Sequence, residues 1–147
     1  MNTLKFNIRR MILKDYDGVK QLWTDCELSE EPEDEMNDIS EFLASPQSAG
    51  FIAHNNEKIE GVVLCGTDGR YGYIHHLAVS KHKRHCGIGR TLAQACVDFL
   101  QTRHVIVMVR ENNETGNRFW NCLHFQKVDG LRIQYIKTNA DSPVLKK

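Results

Sequence analysis

No apolar run in these 147 residues is long enough to cross a bilayer, so a membrane-spanning role is not expected. Charge of one sign is lacking too. Lys plus Arg equals Asp plus Glu at 19 each, which leaves no global field to draw the chain to nucleic acid or to an acidic membrane. Only three prolines are present, and there is no Pro/Gly/Ser-rich linker, low-complexity tract or internal repeat, so one domain over residues 1–147 is expected. The five cysteines (Cys26, Cys65, Cys86, Cys96, Cys122) form no C-x-x-C pair. That usage suits a reducing cytoplasm with most thiols serving as small buried apolar groups, and it offers no paired metal ligands. Residues Met1-Asn2-Thr3-Leu4-Lys5-Phe6 lack the apolar core of a signal peptide. With 41% hydrophobic and 26% charged residues, the composition is that of an ordinary globular protein.

Periodicity supplies the elements. Phe6 and Ile8 alternate as a first strand; Asp15 can cap a helix with apolar positions Tyr16, Val19, Leu22, Trp23 and Cys26. Met36, Ile39, Phe42 and Leu43 suggest a second helix ending before Pro46. Strands near Gly50–His54 and Lys58–Gly66 join across Asn55-Asn56, and Asp68-Gly69 leads into a strand over Tyr71–Val79. Ile88, Leu92, Ala95, Cys96, Phe99 and Leu100 trace an amphipathic helix. Val105–Val109 is a continuous apolar run, as expected of a strand covered on both faces. A helix over Glu114–Leu123 and two strands, Phe125–Val128 and Leu131–Lys137, complete the expectation, with a loose tail from Thr138. The predicted order is β-α-α-β-β-β-α-β-α-β-β, an α/β fold with a mixed sheet and helices on it.

The most informative stretch runs from Leu77 to Leu92, out of a strand, through a basic loop and into the amphipathic helix. Gly87 and Gly89 carry no side chain to block approach, so backbone N–H groups can close around an anion. The helix start adds unpaired N–H groups and the positive end of its dipole, which together suit a diphosphate. Lys81, Lys83, Arg84 and Arg90 concentrate positive charge there. An Arg-x-x-Gly-x-Gly string alone also describes a turn that merely enters a helix. Its place between a strand and a strongly periodic helix favours the anion site. Neither the Gly-Lys-Ser/Thr ending of a nucleotide-hydrolysing loop nor the third glycine of a dinucleotide fingerprint is present.

This segment, Arg84-His85-Cys86-Gly87-Ile88-Gly89, resembles the Arg/Gln-x-x-Gly-x-Gly/Ala motif of the GCN5-related N-acetyltransferases. Asn113, Gly116, Phe119-Trp120 and His124-Phe125 resemble a second pattern of that family, and Asp68-Gly69-Arg70-Tyr71-Gly72 is similar to its bacterial branch. The resemblance covers almost the whole chain. It implies acetyl-coenzyme A as cosubstrate and an amine as acceptor. Leu77, Ala78 and Val79 would then offer strand backbone to the acetyl and pantetheine portion, in a gap between splayed strands. Arg84, His85, Cys86, Gly87, Ile88, Gly89 and Arg90 would hold the diphosphate, and Asn113 would hydrogen-bond the pantetheine arm. A preset N–H such as that of Val79 would stabilise charge on the thioester oxygen. Trp120 stands where the family often has an acidic Tyr, and His124 replaces a glycine. An indole N–H donates hydrogen bonds but is no useful acid.

The amine poses a proton problem. Its pKa of about 10.4 makes the free base cost roughly 4–5 kcal/mol at neutral pH, whereas a thiol at about 8.5 leaves readily. A base is therefore needed more than an acid. Strand alternation puts residues 73, 75, 77 and 79 on one face, so His75 lies beside Leu77, as does a histidine in a similar context in serotonin N-acetyltransferase, a family member. His76 would point to the other face. A strand histidine can equally serve packing alone. Glu60 is a second candidate base, or simply an exposed hairpin carboxylate; the aligned position of another family base is Met108. His82, His85 and Cys86 lack a second ligand pair, so no metal is expected.

Glu27, Glu30, Glu31, Glu33, Asp34, Glu35 and Asp38 occupy one stretch without Lys or Arg. In the resembling family this region walls the acceptor site, and an acidic wall would favour a small cationic amine. A solvated surface is the plainer reading. Three functions remain open: acetylation of a small amine, acetylation of a protein N-terminus or lysine, and non-catalytic acyl-coenzyme A binding. A homodimer is compatible with each.

Overall fold

A computed structural model describes residues 6–28, 31–56 and 58–138. The chain divides into two compact units, Met1–Arg110 and Glu111–Lys147. The first contains β1 (Asn7–Arg10), α1 (Tyr16–Asp25), α2 (Met36–Ala44), β2 (Ser48–Asn55), β3 (Lys58–Thr67), β4 (Tyr71–Val79), α3 (Ile88–Leu100) and β5 (His104–Val107). The strands make a five-stranded mixed sheet in chain order. Neighbours run antiparallel except β4 and β5, which are parallel. A tight turn cannot join parallel neighbours, so α3 serves as the crossover.

Alternation along the strands sends Ile52, Val62 and Leu64 to one face of the sheet. Val19, Leu22 and Trp23 of α1 and Ile39 of α2 cover them there. Full burial of such side chains contributes about 1.5–3 kcal/mol each. The other face takes α3 at close range: a Cβ on Gly61 would stand 2.8 Å from Ile88 and 3.0 Å from Leu92. One on Gly72 would stand 2.8 Å from Leu100. Gly61 lies opposite Val79, the last residue of β4, and Gly72 is near its start, so α3 runs back along β4. These two glycines fix the start of α3 over the end of β4.

Asp15 does not cap α1 as its position suggested; its side chain makes no cap hydrogen bond to that helix. Its carboxylate instead accepts from Arg9 Nη2 at 2.7 Å, from Arg9 Nη1 at 2.9 Å and from Ile12 N–H at 2.9 Å, tying β1 to the chain entering α1. Burial alone would raise the Asp15 pKa. The hydrogen bonds from Arg9 and the Ile12 N–H outweigh it and hold the carboxyl below its usual range.

Two expectations about the sheet change. Val105–Val109 is not a strand covered on both faces: β5 spans only His104–Val107, at the edge of the sheet, with Ile106 39% and Met108 66% exposed. No strand forms over 125–137, so the last two strands of the expected order are absent among the described residues. Leu131-Arg132-Ile133-Gln134-Tyr135 alternates like a strand, but alternation only matters once a ladder and a covered face exist. Leu131, Ile133 and Tyr135 are exposed. Cys65 and Cys96 are buried, while Cys26 and Cys86 are half-buried and Cys122 is exposed. Burying the thiol as an apolar group therefore holds for two positions rather than for most.

The second unit holds α4 (Glu114–Cys122). Asn113 Oδ1 accepts from Gly116 N–H at 2.9 Å, an N-cap. The C-terminus closes with His124 N–H donating to Asn121 O and Phe125 N–H to Trp120 O, each at 3.0 Å. His124 takes φ +71, the left-handed conformation that glycine usually supplies in this Schellman closure. The Phe125 ring packs against Trp120 at 4.9 Å, the apolar contact that accompanies it.

Asp15→Asn should lower stability at pH 7 by about 1–2 kcal/mol, a charge-assisted hydrogen-bond loss discounted because Arg9 is partly solvated. Since the folded-state pKa is depressed, this contribution is present above the unfolded carboxylate's pKa of about 4 and disappears as pH falls through the lower folded value. Urea unfolding from pH 7 to pH 2.5 should show the gap closing; a constant gap would contradict the role given to this carboxylate.

Candidate active site

β4 carries one residue too many for its partner. Gly61 pairs with Val79 and Val62 with Ala78, but Leu64 pairs with His75 and Cys65 with Ile74. His76 and Leu77 therefore stand together against Val63, a β-bulge, and His76 takes φ +55. A left-handed non-glycine residue costs on the order of 1 kcal/mol, and such strain gathers at functional sites. The β4–β5 ladder ends at Ile74 and Val107, two residues before His76. Past it, residues 75–79 of β4 pair with no strand on the β5 side among the described residues, and these include Leu77, Ala78 and Val79.

The bulge corrects the face assignment. His75 shares a face with its partner Leu64, and Ala78 with Val62, both toward α1 and α2. His76 lies on the same side: its ring meets Trp23 edge-on at 5.1 Å, and Trp23 Nε1–H donates to His76 O at 3.3 Å. Simple alternation had separated the two histidines. The extra residue brings them together, ring centroids 5.5 Å apart.

Downstream, Lys81–Lys83 makes a 3-10 turn, and Gly87, at φ +88, leads into α3. His85 is also left-handed, at φ +64. Left-handed residues interspersed along a loop gather successive N–H groups on one side. Gly87 has no side chain to cap the helix. Thr91 N–H is the first in α3 to reach a helical carbonyl, that of Gly87, at 3.0 Å. The N–H groups of Ile88, Gly89 and Arg90 precede it and have no helical acceptor. With exposed Lys81 and Arg90 nearby and no acidic side chain from Ser80 to Val97, this donor set fits a diphosphate. Arg84 Nε–H donates to Val79 O at 3.3 Å, so the guanidinium braces the loop against the end of β4.

His75 sits against Phe42 of α2, edge-on at 5.8 Å. Burial, reinforced by the neighbouring His76, lowers its pKa to about 4. It is neutral at pH 7, but taking a proton from an alkylammonium at about 10.4 would cost roughly 9 kcal/mol. Glu60 is not an exposed hairpin carboxylate. It is 3% exposed, the extra residue of a bulge in β3, with Oε2 3.4 Å from His82 Nε2 and Oε1 3.9 Å from Lys58 Nζ. Its carbonyl accepts from Ser80 N–H at 2.8 Å. Ser80 stands four residues past His76, roughly 13 Å along the strand at about 3.3 Å each. Glu60 thus belongs to the stem of the basic loop.

Of the acidic stretch, Glu31, Glu33 and Glu35 are exposed between α1 and α2, Asp38 is exposed in the first turn of α2, and Glu30 lies outside the described residues. Asp34 is different. Its Oδ2 accepts from Glu31 N–H at 3.1 Å, its carbonyl accepts from Tyr16 Oη–H at 2.8 Å, and its Oδ1 lies 2.9 Å from His76 Nε2. Sequence reading missed this pairing because it depends on the bulge. The one available signal was the His75-His76 doublet inside an otherwise apolar strand. No group of three or more His, Cys, Asp or Glu is arranged to hold a metal among the described residues.

In the second unit, Asn113 spends Oδ1 on its cap, leaving its amide NH2 as the group able to reach a ligand. Trp120 is enclosed edge-on by Phe119 and Phe125, each at 4.9 Å, a packing role that fits its lack of acidity.

The Acetyltransferase (GNAT) family model matches residues 16–125. An acetyltransferase of Pectobacterium atrosepticum is 29% identical over 126 residues, 81% of this chain and 86% of its own. The N-alpha-acetyltransferase 30 of Schizosaccharomyces pombe is 30% identical over 94 residues, 58% of this chain and 63% of its own. An aminoglycoside acetyltransferase from an uncultured soil metagenomic sample, solved with sisomicin, superposes with TM-score 0.75 at 18% identity, over 91% of this chain and 97% of that one. AAC(6')-Iy, in complex with a bisubstrate analog joining coenzyme A to acetylneamine, gives 0.73 at 17% identity, over 92% and 99%. The chain belongs to the GNAT acetyltransferase family. It is an acetyl-coenzyme A-dependent N-acetyltransferase.

Gly89→Asp tests the anion site without endangering the fold, because an acidic residue in the first turn favours a helix. Thermal stability should be kept or raised while acetyl-coenzyme A affinity, measured by calorimetry, falls at least tenfold. Unchanged affinity in the folded variant would remove the diphosphate from this loop.

Proposed function

We propose that this enzyme acetylates the primary amine of a small, positively charged acceptor by direct attack on the acetyl thioester. The observation that carries the acceptor class is Asp34: it fastens the α1–α2 connection to the β4 bulge, and the same connection carries the exposed carboxylates of Glu31, Glu33 and Glu35. The structural neighbours that bind aminoglycosides, molecules bearing several amines, support the same class.

Each part of the chain has a task in this reading. The cosubstrate supplies an acetyl group activated as a thioester. The start of α3 holds its diphosphate, and the edge of β4 at Leu77, Ala78 and Val79 orients its arm. His75, buried edge-on against Phe42 of α2, has a packing role in this reading. We take both units as one catalytic domain, since the family match runs continuously from residue 16 to residue 125. Free cysteines fit a cytoplasmic setting. Acetylation of protein N-termini is the second reading, supported by the fission-yeast relative.

A unit charge on the order of 10 Å away contributes about 0.4 kcal/mol in water, and physiological salt screens most of it. Replacing Glu31, Glu33 and Glu35 with Gln should thus raise KM for a polyamine or amino-sugar about fivefold or more at low salt and about twofold at 0.15 M. Turnover should be little changed. Steady-state kinetics across an acceptor panel would check this. A salt-independent KM, or a preference for peptide N-termini, would overturn the cationic small-amine assignment.

A further inference from the structure

The β4 bulge holds its strained histidine more firmly than packing alone requires. Trp23 touches the His76 ring edge-on and donates to the His76 carbonyl, and Asp34 stands 2.9 Å from Nε2. Asp34 is in turn held by Tyr16 Oη–H on its carbonyl and Glu31 N–H on its carboxylate. Its side chain is 12% exposed and that of His76 is 27% exposed, so the pair is largely withdrawn from solvent while the ring stays reachable. Nε2 is buried, and the Asp34 carboxylate at 2.9 Å is the acidic group set against it among the described residues.

We propose that Asp34 and His76 form the proton-accepting pair for the acceptor amine, with His76 the catalytic base and Asp34 its positioning residue. The proposal rests on the reading of amine acetylation above. The carboxylate keeps the proton of His76 on Nε2 and leaves Nδ1 with the lone pair, because the partner of one ring nitrogen sets the state of the other. An ammonium acceptor gives one proton to Nδ1. The resulting amine nitrogen bonds to the acetyl carbon as the carbon–sulfur bond breaks, and a second proton from that nitrogen ends on the departing thiolate. The products are an amide, a thiol and an imidazolium, and the imidazolium releases its proton to water. The positive charge on the ring in that interval is balanced by Asp34.

Position favours His76 over its neighbour. Both histidines face α1 and α2, but only His76 has a carboxylate against a ring nitrogen, whereas His75 meets Phe42 and the His76 ring. The titratable and charged groups around His76 are Asp34 from the α1–α2 connection, Tyr16 from α1 behind Asp34, and His75 on β4 itself. From β3, opposite the bulge, come apolar Val63 and Leu64.

Asp34→Asn keeps shape and removes charge. It should cut turnover at pH 7 by about 10²-fold, the low end for loss of a general base. The rate should recover as pH climbs toward the amine's own pKa, while calorimetric acetyl-coenzyme A affinity stays within about twofold. His75→Gln should keep turnover within about fivefold. A readout independent of activity is the ¹⁵N shift pair of His76 at pH 8. Wild type should show Nε2 protonated and Nδ1 bare, and Asp34→Asn should show a mixture of tautomers. Wild-type turnover and profile in Asp34→Asn, an unchanged tautomer, or an equal loss in His75→Gln would each overturn the proposal. Failure of wild type to acetylate any amine would instead strike the underlying reading, and the tautomer measurement would still decide whether Asp34 sets the state of His76.

Discussion

One extra residue in β4 is the constraint around which the rest of the site is arranged. β4 has to pair antiparallel with β3 on one side and parallel with β5 on the other, and it satisfies both only as far as Ile74. At His76 and Leu77 the strand fits two residues against Val63, and just before that point the parallel ladder stops. Bulges bend a strand and strengthen its twist. Here the outcome is a stretch of backbone that pairs with no strand on the β5 side among the described residues, together with two imidazoles turned toward α1 and α2.

The scaffold carries this defect because both faces of the sheet are well covered around it. Val62 and Leu64 are buried beneath α1 and α2, and Gly61 lets Ile88 and Leu92 of α3 close on the opposite face. That close packing also sets the chemistry. It places the start of α3, with its uncapped N–H groups, at the end of the same strand whose middle is strained. Arg84 and Glu60 then fasten the intervening basic loop to Val79 and Ser80. The cations of the loop matter because the protein has no net charge of its own, so attraction for an anion is local rather than global.

Much of this was legible in the residues. Helical spacing marked α1, α2 and α3, the turn at Asp68-Gly69 bounded β4, and the Arg84–Gly89 string marked the loop, because each depends on neighbours close in sequence. What escaped depends on distant partners. The register of β3 against β4 decides where His76 points, and strict alternation sent it to the wrong face. Glu60 looked exposed because nothing local reveals that His82 lies over it. The alternation of Leu131, Ile133 and Tyr135 matched a strand, but a strand forms only where another offers its edge. Asp34 was one acid among seven until the bulge turned a histidine toward it.

Titrating the uniformly ¹⁵N-labelled protein with coenzyme A and following its amide resonances tests the central claim most directly. The account predicts saturable shifts concentrated at Leu77, Ala78 and Val79 on the free edge of β4 and at residues 86–90 where α3 begins. β1 and β2 should be nearly silent. Shifts that spare both segments, or that cluster on the far strands, would contradict the account.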